Sequence, residues 1–144
     1  MNRPFGTTIL DTAFRYMVPF IMVYGVYVLL HGEYSPGGGF QAGALLAIAV
    51  VLTRLVQGRE AIFDMNGDTA IILAGLGTLI YAGVGVATVI WGGNFLDYAT
   101  IPLDLPAKEL RPLGILVIEV GVTICVMGVI IAIYDALTRK DDDI

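Results

Sequence analysis

Residues 113–134 read LGILVIEVGVTICVMGVIIAIY, twenty-two positions interrupted by one ionisable side chain, Glu119. A helix rises about 1.5 Å per residue, so about 20 apolar residues cross a hydrocarbon layer roughly 30 Å thick. This stretch is long enough, and apolar enough, to be a transmembrane helix. Three others qualify by the same measure: 11–31, 40–57 and 70–91. The second is the shortest, at about 27 Å. The expected fold is therefore an all-α integral membrane protein, with one four-helix domain over residues 1–144. Pro19 falls inside the first span, where it removes a backbone donor.

Composition agrees. The chain is 57% hydrophobic and 15% charged, against about 25% charged in ordinary globular proteins. Its net charge of −5 and lack of a basic stripe leave no means of neutralising phosphates, so nucleic acid is not an expected partner. The single cysteine, Cys125, excludes an intramolecular disulfide and a cysteine-ligated metal site, and reads as a small buried hydrophobe. No metal or cofactor site is expected. The first twenty residues lack a short apolar core and a small-x-small cleavage site, and read as the retained start of the first helix.

Orientation follows from Lys and Arg near the span ends. With four spans, the side holding both termini and the 58–69 connection carries Arg3, Arg15, Arg54, Arg59, Arg139 and Lys140; the other carries Lys108 and Arg111. Six against two places both termini in the cytoplasm. The external side then holds the 32–39 turn and the 92–112 segment, read as an ordered loop with Trp91, Phe95 and Tyr98 at headgroup level.

Small residues let membrane helices approach closely. Gly39, Gly43 and Ala47 recur at spacing four; so do Ala70, Ala74, Thr78 and Ala82; Gly114, Gly121 and Gly128 recur at spacing seven. Each of the last three spans thus presents a smooth stripe for packing within the chain or against neighbouring subunits. In the 60–69 connection, Asp64, Asn66 and Asp68 alternate as in a calcium loop, but the required Gly and Glu positions hold Thr69 and Gly75. Asp68 reads as a helix N-cap.

A charge inside a span is expensive, and is a functional candidate by default. Glu119 lies six residues into the fourth span as read here, with Thr123 one turn further on the same face and Gly121 and Cys125 pointing elsewhere. Desolvation there favours a reversible proton; a structural tie to a neighbouring helix is the other reading. Phe20, Tyr24, Tyr27 and His31 form a continuous strip along the first helix, ending at a group that titrates near physiological pH. Asp11 with Arg15, and Asp135 with Arg139, stand at i,i+4 as interfacial ion pairs. Between the first two spans, Pro36 halts the chain and Gly37, Gly38 and Gly39 permit a tight hairpin or a close backbone approach. Gln41 follows in the first turn of the second helix. A phosphate loop would need a Lys and a Ser or Thr after the glycines, and none follows.

His31-Gly32, then Pro36-Gly37-Gly38-Gly39-Phe40-Gln41 and Gly43, then Glu119-Val120-Gly121-Val122 in the last span, together resemble the MnhB/MrpB family, the B component of multisubunit Na+/H+ antiporters. Relatives of that family occur in energy-converting membrane-bound hydrogenases and related respiratory complexes. The likeness spans essentially the whole chain. It implies a small non-redox subunit of a cation/proton-translocating complex, without catalysis of its own. Its partners would be other small membrane subunits, antiporter-like subunits and the lipid of a prokaryotic cytoplasmic membrane, with Na+ and H+ as the transported ions. The resemblance makes the glycine-rich turn through Phe40 and the acid Glu119 the family's characteristic positions. On this reading Glu119, Thr123, His31 and Gln41 are the candidate ion or proton pathway. The rival from another class is an autonomous four-helix proton-coupled exporter, which would need an aromatic-lined cavity around its carboxylate.

Overall fold

The computed structural model describes residues 8–32, 38–58, 61 and 65–139. Four long helices dominate: α1 (Thr8–Leu30), α2 (Gly38–Gln57), α3 (Gly67–Ile90) and α4 (Ala107–Arg139), with a short 3-10 turn at Tyr98–Thr100 before the last. Each is long and apolar enough to cross a membrane. The helices stand side by side in the order α1, α2, α4, α3, with α1 touching α4 only slightly.

α4 is longer than its apolar stretch implies, because Pro112 does not end it. A proline forfeits its own N–H and crowds the preceding turn. Only one turn of α4 lies ahead of Pro112, so little is lost. The helix actually starts after Pro106, whose carbonyl accepts from the N–H groups of Glu109 (2.8 Å) and Leu110 (3.2 Å). The last part of the expected 92–112 loop is therefore helix. At the start of α3 the N-cap is Asn66 and not Asp68: the Asn66 side chain accepts from the Thr69 N–H at 2.9 Å. Asp68 sits in the first turn, where its charge still suits the helix dipole.

Lipid tails are as apolar as leucine, so burying leucine gains little in a membrane and close backbone packing must hold the helices together. The buried cluster joins two alanines, Ala47 and Ala70, to Val50 and Ile131, and the closest approaches around it are made by glycines. The spacing-seven stripe of α4 packs throughout. Gly128 lies on the backbone of Ala70 and Ala74, Gly121 on Gly77 and Ile80, and Gly114 beneath the ring of Tyr98. The spacing-four stripe of α3 does not: Ala70 and Ala74 meet α4, and the Thr78 hydroxyl still reaches Cys125, but the close contact has passed to Gly77 and Ala82 is exposed. Four residues advance roughly 40° beyond a full turn, so a strict four-spaced row winds off the contact face, whereas seven residues miss two turns by only about 20°.

Two polar knots fasten the ends. At one end, the fully buried Thr88 hydroxyl donates to the carbonyls of Gly85 (2.8 Å) and Asn94 (3.0 Å) and accepts the Leu96 N–H (3.0 Å). This folds the 91–106 loop back over α3, with Phe95 lying on Gly85 and Tyr98 on Gly114. Burial, and the neighbouring Tyr81, raise the pKa of the Tyr98 phenol.

At the other end Asp135 reaches across the bundle; the Arg139 side chain expected to pair with it lies outside the described residues. Its carboxylate pairs with Arg54 of α2 at 2.9 Å and accepts the Gly67 N–H of α3 at 3.0 Å. The Arg54 guanidinium also lies 5.8 Å from the centre of the Tyr134 ring. One carboxylate thus joins three helices, and it satisfies a helix-start N–H that has no intrahelical partner. Both side chains are largely buried, at 18% and 15% exposure. Removing one partner of a buried pair leaves an uncompensated charge, at a cost of roughly 3 kcal/mol or more. Asp135→Ala should therefore lower the thermal midpoint of the detergent-solubilised protein by several degrees. Arg54→Met with Asp135→Leu should recover part of that loss. An unchanged midpoint in Asp135→Ala would mean that the knot contributes nothing.

Candidate functional site: a carboxylate seated on glycines

The glycine-rich turn and Glu119 form one structure. Glu119 projects from α4 toward the end of α1 and the start of α2, and its carboxylate rests on Gly32 and Gly38. A Cβ built on Gly32 would stand 2.5 Å from Glu119 Oε2, and one on Gly38 would stand 2.5 Å from Oε1. Gly38 is also in the left-handed region (φ +53°), which side-chain-bearing residues rarely adopt. Gly39 then meets the backbone of Glu119 itself, and Gly43 meets Thr123 and Val126 one turn on. The motif's glycines therefore do two jobs. Gly39 and Gly43 let α2 and α4 touch backbone to backbone, while Gly32 and Gly38 leave room for the carboxylate above that contact.

Thr123 closes the arrangement. It is 4% exposed, and its hydroxyl donates to the carbonyls of Glu119 (2.7 Å) and Gly39 (3.0 Å). The first bond is the usual return of a helical threonine to its own preceding turn; the second crosses to α2. Thr123 is thus both a neighbour of the acid and the staple that holds α2 against it.

The other candidates lie apart. Gln41 and Phe40 are exposed. Gln41 is roughly 200° around α2 from both Gly39 and Gly43, which puts it on the face turned away from Glu119. His31 is exposed, and its ring stacks on Tyr27 with centroids 4.0 Å apart. Its Nδ1 lies 3.1 Å from the Tyr27 carbonyl. The aromatic strip is real and lies on the exposed face of α1: Phe20 is 76% exposed, Tyr24 57% and Tyr27 53%. Pro36 and Gly37 lie outside the described residues.

Depth follows from the helix register. The antiparallel contacts of Gly121 and Gly128 with α3 place Glu119 level with residues 80–82, near the middle of Gly67–Ile90. It is also twelve residues, about 18 Å, from the start of α4, and not the six expected from the apolar stretch. A carboxylate is thus held level with the middle of α3, where the ends of α1 and α2 meet it at Gly32 and Gly38.

Sequence reasoning passes over three features of the structure. Gly32 is visible there only as the partner of His31 in a motif. Glu109 reads as a loop residue as long as α4 is taken to start after Pro112. The Arg54–Asp135 pair has a signal: second and fourth spans run in the same direction, so charges near their same-side ends can meet.

A four-span helical membrane protein with a mid-depth carboxylate cradled by glycines is the class that fold and site define. Within that class, residues 9–132 match the family model described as a domain related to the MnhB subunit of Na+/H+ antiporter, and the chain belongs to that family. It is 28% identical over 130 residues to the B component of the Na(+)/H(+) antiporter of Bacillus subtilis, covering 85% of this chain and 91% of that protein. Similar likeness extends to the putative antiporter protein mnhB2 of Staphylococcus haemolyticus, 28% identical with 90% and 93% covered. The mnhB2 protein of Staphylococcus aureus is 27% identical, with the same coverage.

Proposed function

We propose that the chain is the B-type membrane component of a multisubunit Na+/H+ antiporter in a prokaryotic cell membrane, with both termini in the cytoplasm. It carries no catalysis of its own. It packs beside the complex's other membrane subunits, and Glu119 supplies a protonatable or Na+-sensing position on the ion path, with Thr123 holding the helices around it. The observation that carries this reading is the placement of the glycine motif around Glu119 in a chain matching the antiporter family from residue 9 to residue 132. Such seating excludes bulk on the α2 side of the acid while leaving the carboxylate itself in place. An autonomous exporter is not favoured: the walls against Glu119 are glycine and helix backbone, with no aromatic cavity around it among the described residues.

The test is co-purification. An affinity tag on this chain, with gentle solubilisation, should recover a large complex containing the antiporter-like subunits. Deleting the chain should abolish Na+-driven proton movement in vesicles. Recovery of the chain alone as an active small oligomer would overturn the proposal.

A further inference from the structure

The helices α1 and α2 end well short of α3 and α4. Their ends, Leu30 and Gly38, are level with Glu119, while α3 continues about 13 Å further to Ile90 and α4 about 18 Å further to Ala107. The outer arm of α4 therefore has α3 and the 91–106 loop on one side and no helix of this chain, among the described residues, at full height on the other. A cavity of about 280 Å³ occupies that gap. Leu30 forms one wall, and Pro112, Leu113 and Leu116 the other; Glu109 lines it near the start of α4 and Glu119 lies at its deep end.

We propose that this cavity is a water-filled vestibule, running from the 91–106 side of the membrane to the Glu119 carboxylate, with Glu109 as the acidic group at its rim. The proposal deepens the reading of Glu119 as an ion-path residue and names its route of access. A volume of 280 Å³ holds about nine waters at roughly 30 Å³ each. Purely apolar cavities stay dry, but this one has a carboxylate at either end, about 15 Å apart along α4. Intramembrane acids characteristically face such cavities. The glycines close the α2 side of the carboxylate, and the cavity meets it from the side of Leu30 and Leu116. The rim acid raises the local concentration of small cations over neutral solutes, as clefts lined by one sign of charge do.

The test uses the assembled complex in native membranes, with Cys125→Ala removing the only cysteine. Single cysteines replace Leu113, Leu116, Val117 and Asp104 in turn. Leu116 lines the vestibule, the adjacent Val117 lies at the same depth outside its lining, and exposed Asp104 marks the side of the 91–106 loop. The probe is a cationic, membrane-impermeant methanethiosulfonate. Leu113→Cys and Leu116→Cys should react from the same face of the membrane as Asp104→Cys, and Leu116→Cys at least about tenfold faster than Val117→Cys. Adding Glu109→Gln should slow labelling at position 116 several-fold for the cationic reagent, and leave a neutral reagent unaffected. Equal rates at 116 and 117 would mean that lipid or a neighbouring subunit fills the gap, and would overturn the vestibule. An unchanged cationic rate in Glu109→Gln would overturn the role of the rim acid. If labelling behaves as expected but Glu119→Gln transports normally, the vestibule stands and the ion-path assignment falls.

Discussion

Gly39→Ala should dismantle the contact between α2 and α4 and, with it, the assembled complex. The added methyl would be driven into the Glu119 carbonyl oxygen and would stand 3.0 Å from that residue's Cα and carbonyl carbon. These are backbone atoms in mid-helix, which cannot rotate aside as a side-chain tip can, so the helices must part. Overpacking of this kind costs about 1–3 kcal/mol, a factor of roughly 5 to 160 in an assembly equilibrium. Parting also breaks the Thr123 hydroxyl bond to the Gly39 carbonyl, leaving a buried acceptor short of a partner. Gly75→Ala is the control, since a methyl there meets no described residue within 4 Å. The measurement is the yield of intact complex from membranes with equal expression. A Gly39→Ala complex as abundant as wild type would mean that α2 and α4 are not held together by close approach.

Glu119→Gln should leave the complex intact and remove most of its transport. Glutamine matches the acid in volume and can keep hydrogen bonds over Gly32 and Gly38, but it cannot release a proton or carry a charge. A positioned proton-transfer group contributes roughly a hundredfold or more, so a fall of that order in ion-driven transport is expected in vesicles containing equal amounts of complex. Glu119→Ala should fail differently. It empties the space above the two glycines, where the carboxylate now stands 2.5 Å from the position of either missing Cβ, and assembly should suffer together with transport. Wild-type transport in Glu119→Gln would reduce Glu119 to a structural tie. Thr123→Val serves as the companion variant: it removes both hydroxyl bonds and leaves the acid, so it should loosen α2 from α4 before it affects ion chemistry.

The chain's class and its spans are legible in the residues because both depend on local quantities. Whether a segment crosses a membrane is decided by its length and apolarity, and 113–134 satisfies both without reference to anything distant. The spacing-seven glycines of α4 are equally readable, since seven residues nearly close two turns and keep one face. The same local rule misleads where a neighbour decides the outcome. Pro112 looks like a stop, although a proline so close to a helix start costs little; the true start, after Pro106, puts Glu119 twelve residues into its helix and not six. Asp135 reads as a group serving its own helix, but its carboxylate is shared with Arg54 and the Gly67 N–H, which come from two other helices.

The site shows the same division. That Glu119 is an unusual acid, and that the Pro36–Gly39 tract is an unusual turn, can be read separately from the sequence. That Gly32 and Gly38 form the seat of Glu119, that Gln41 faces away from it, and that α1 and α2 end at its level required the tertiary structure. The reason is physical. Glycine carries no side chain with which to advertise a partner, and a close backbone approach is set by the helix that fills the space, here about 80 residues further along the chain.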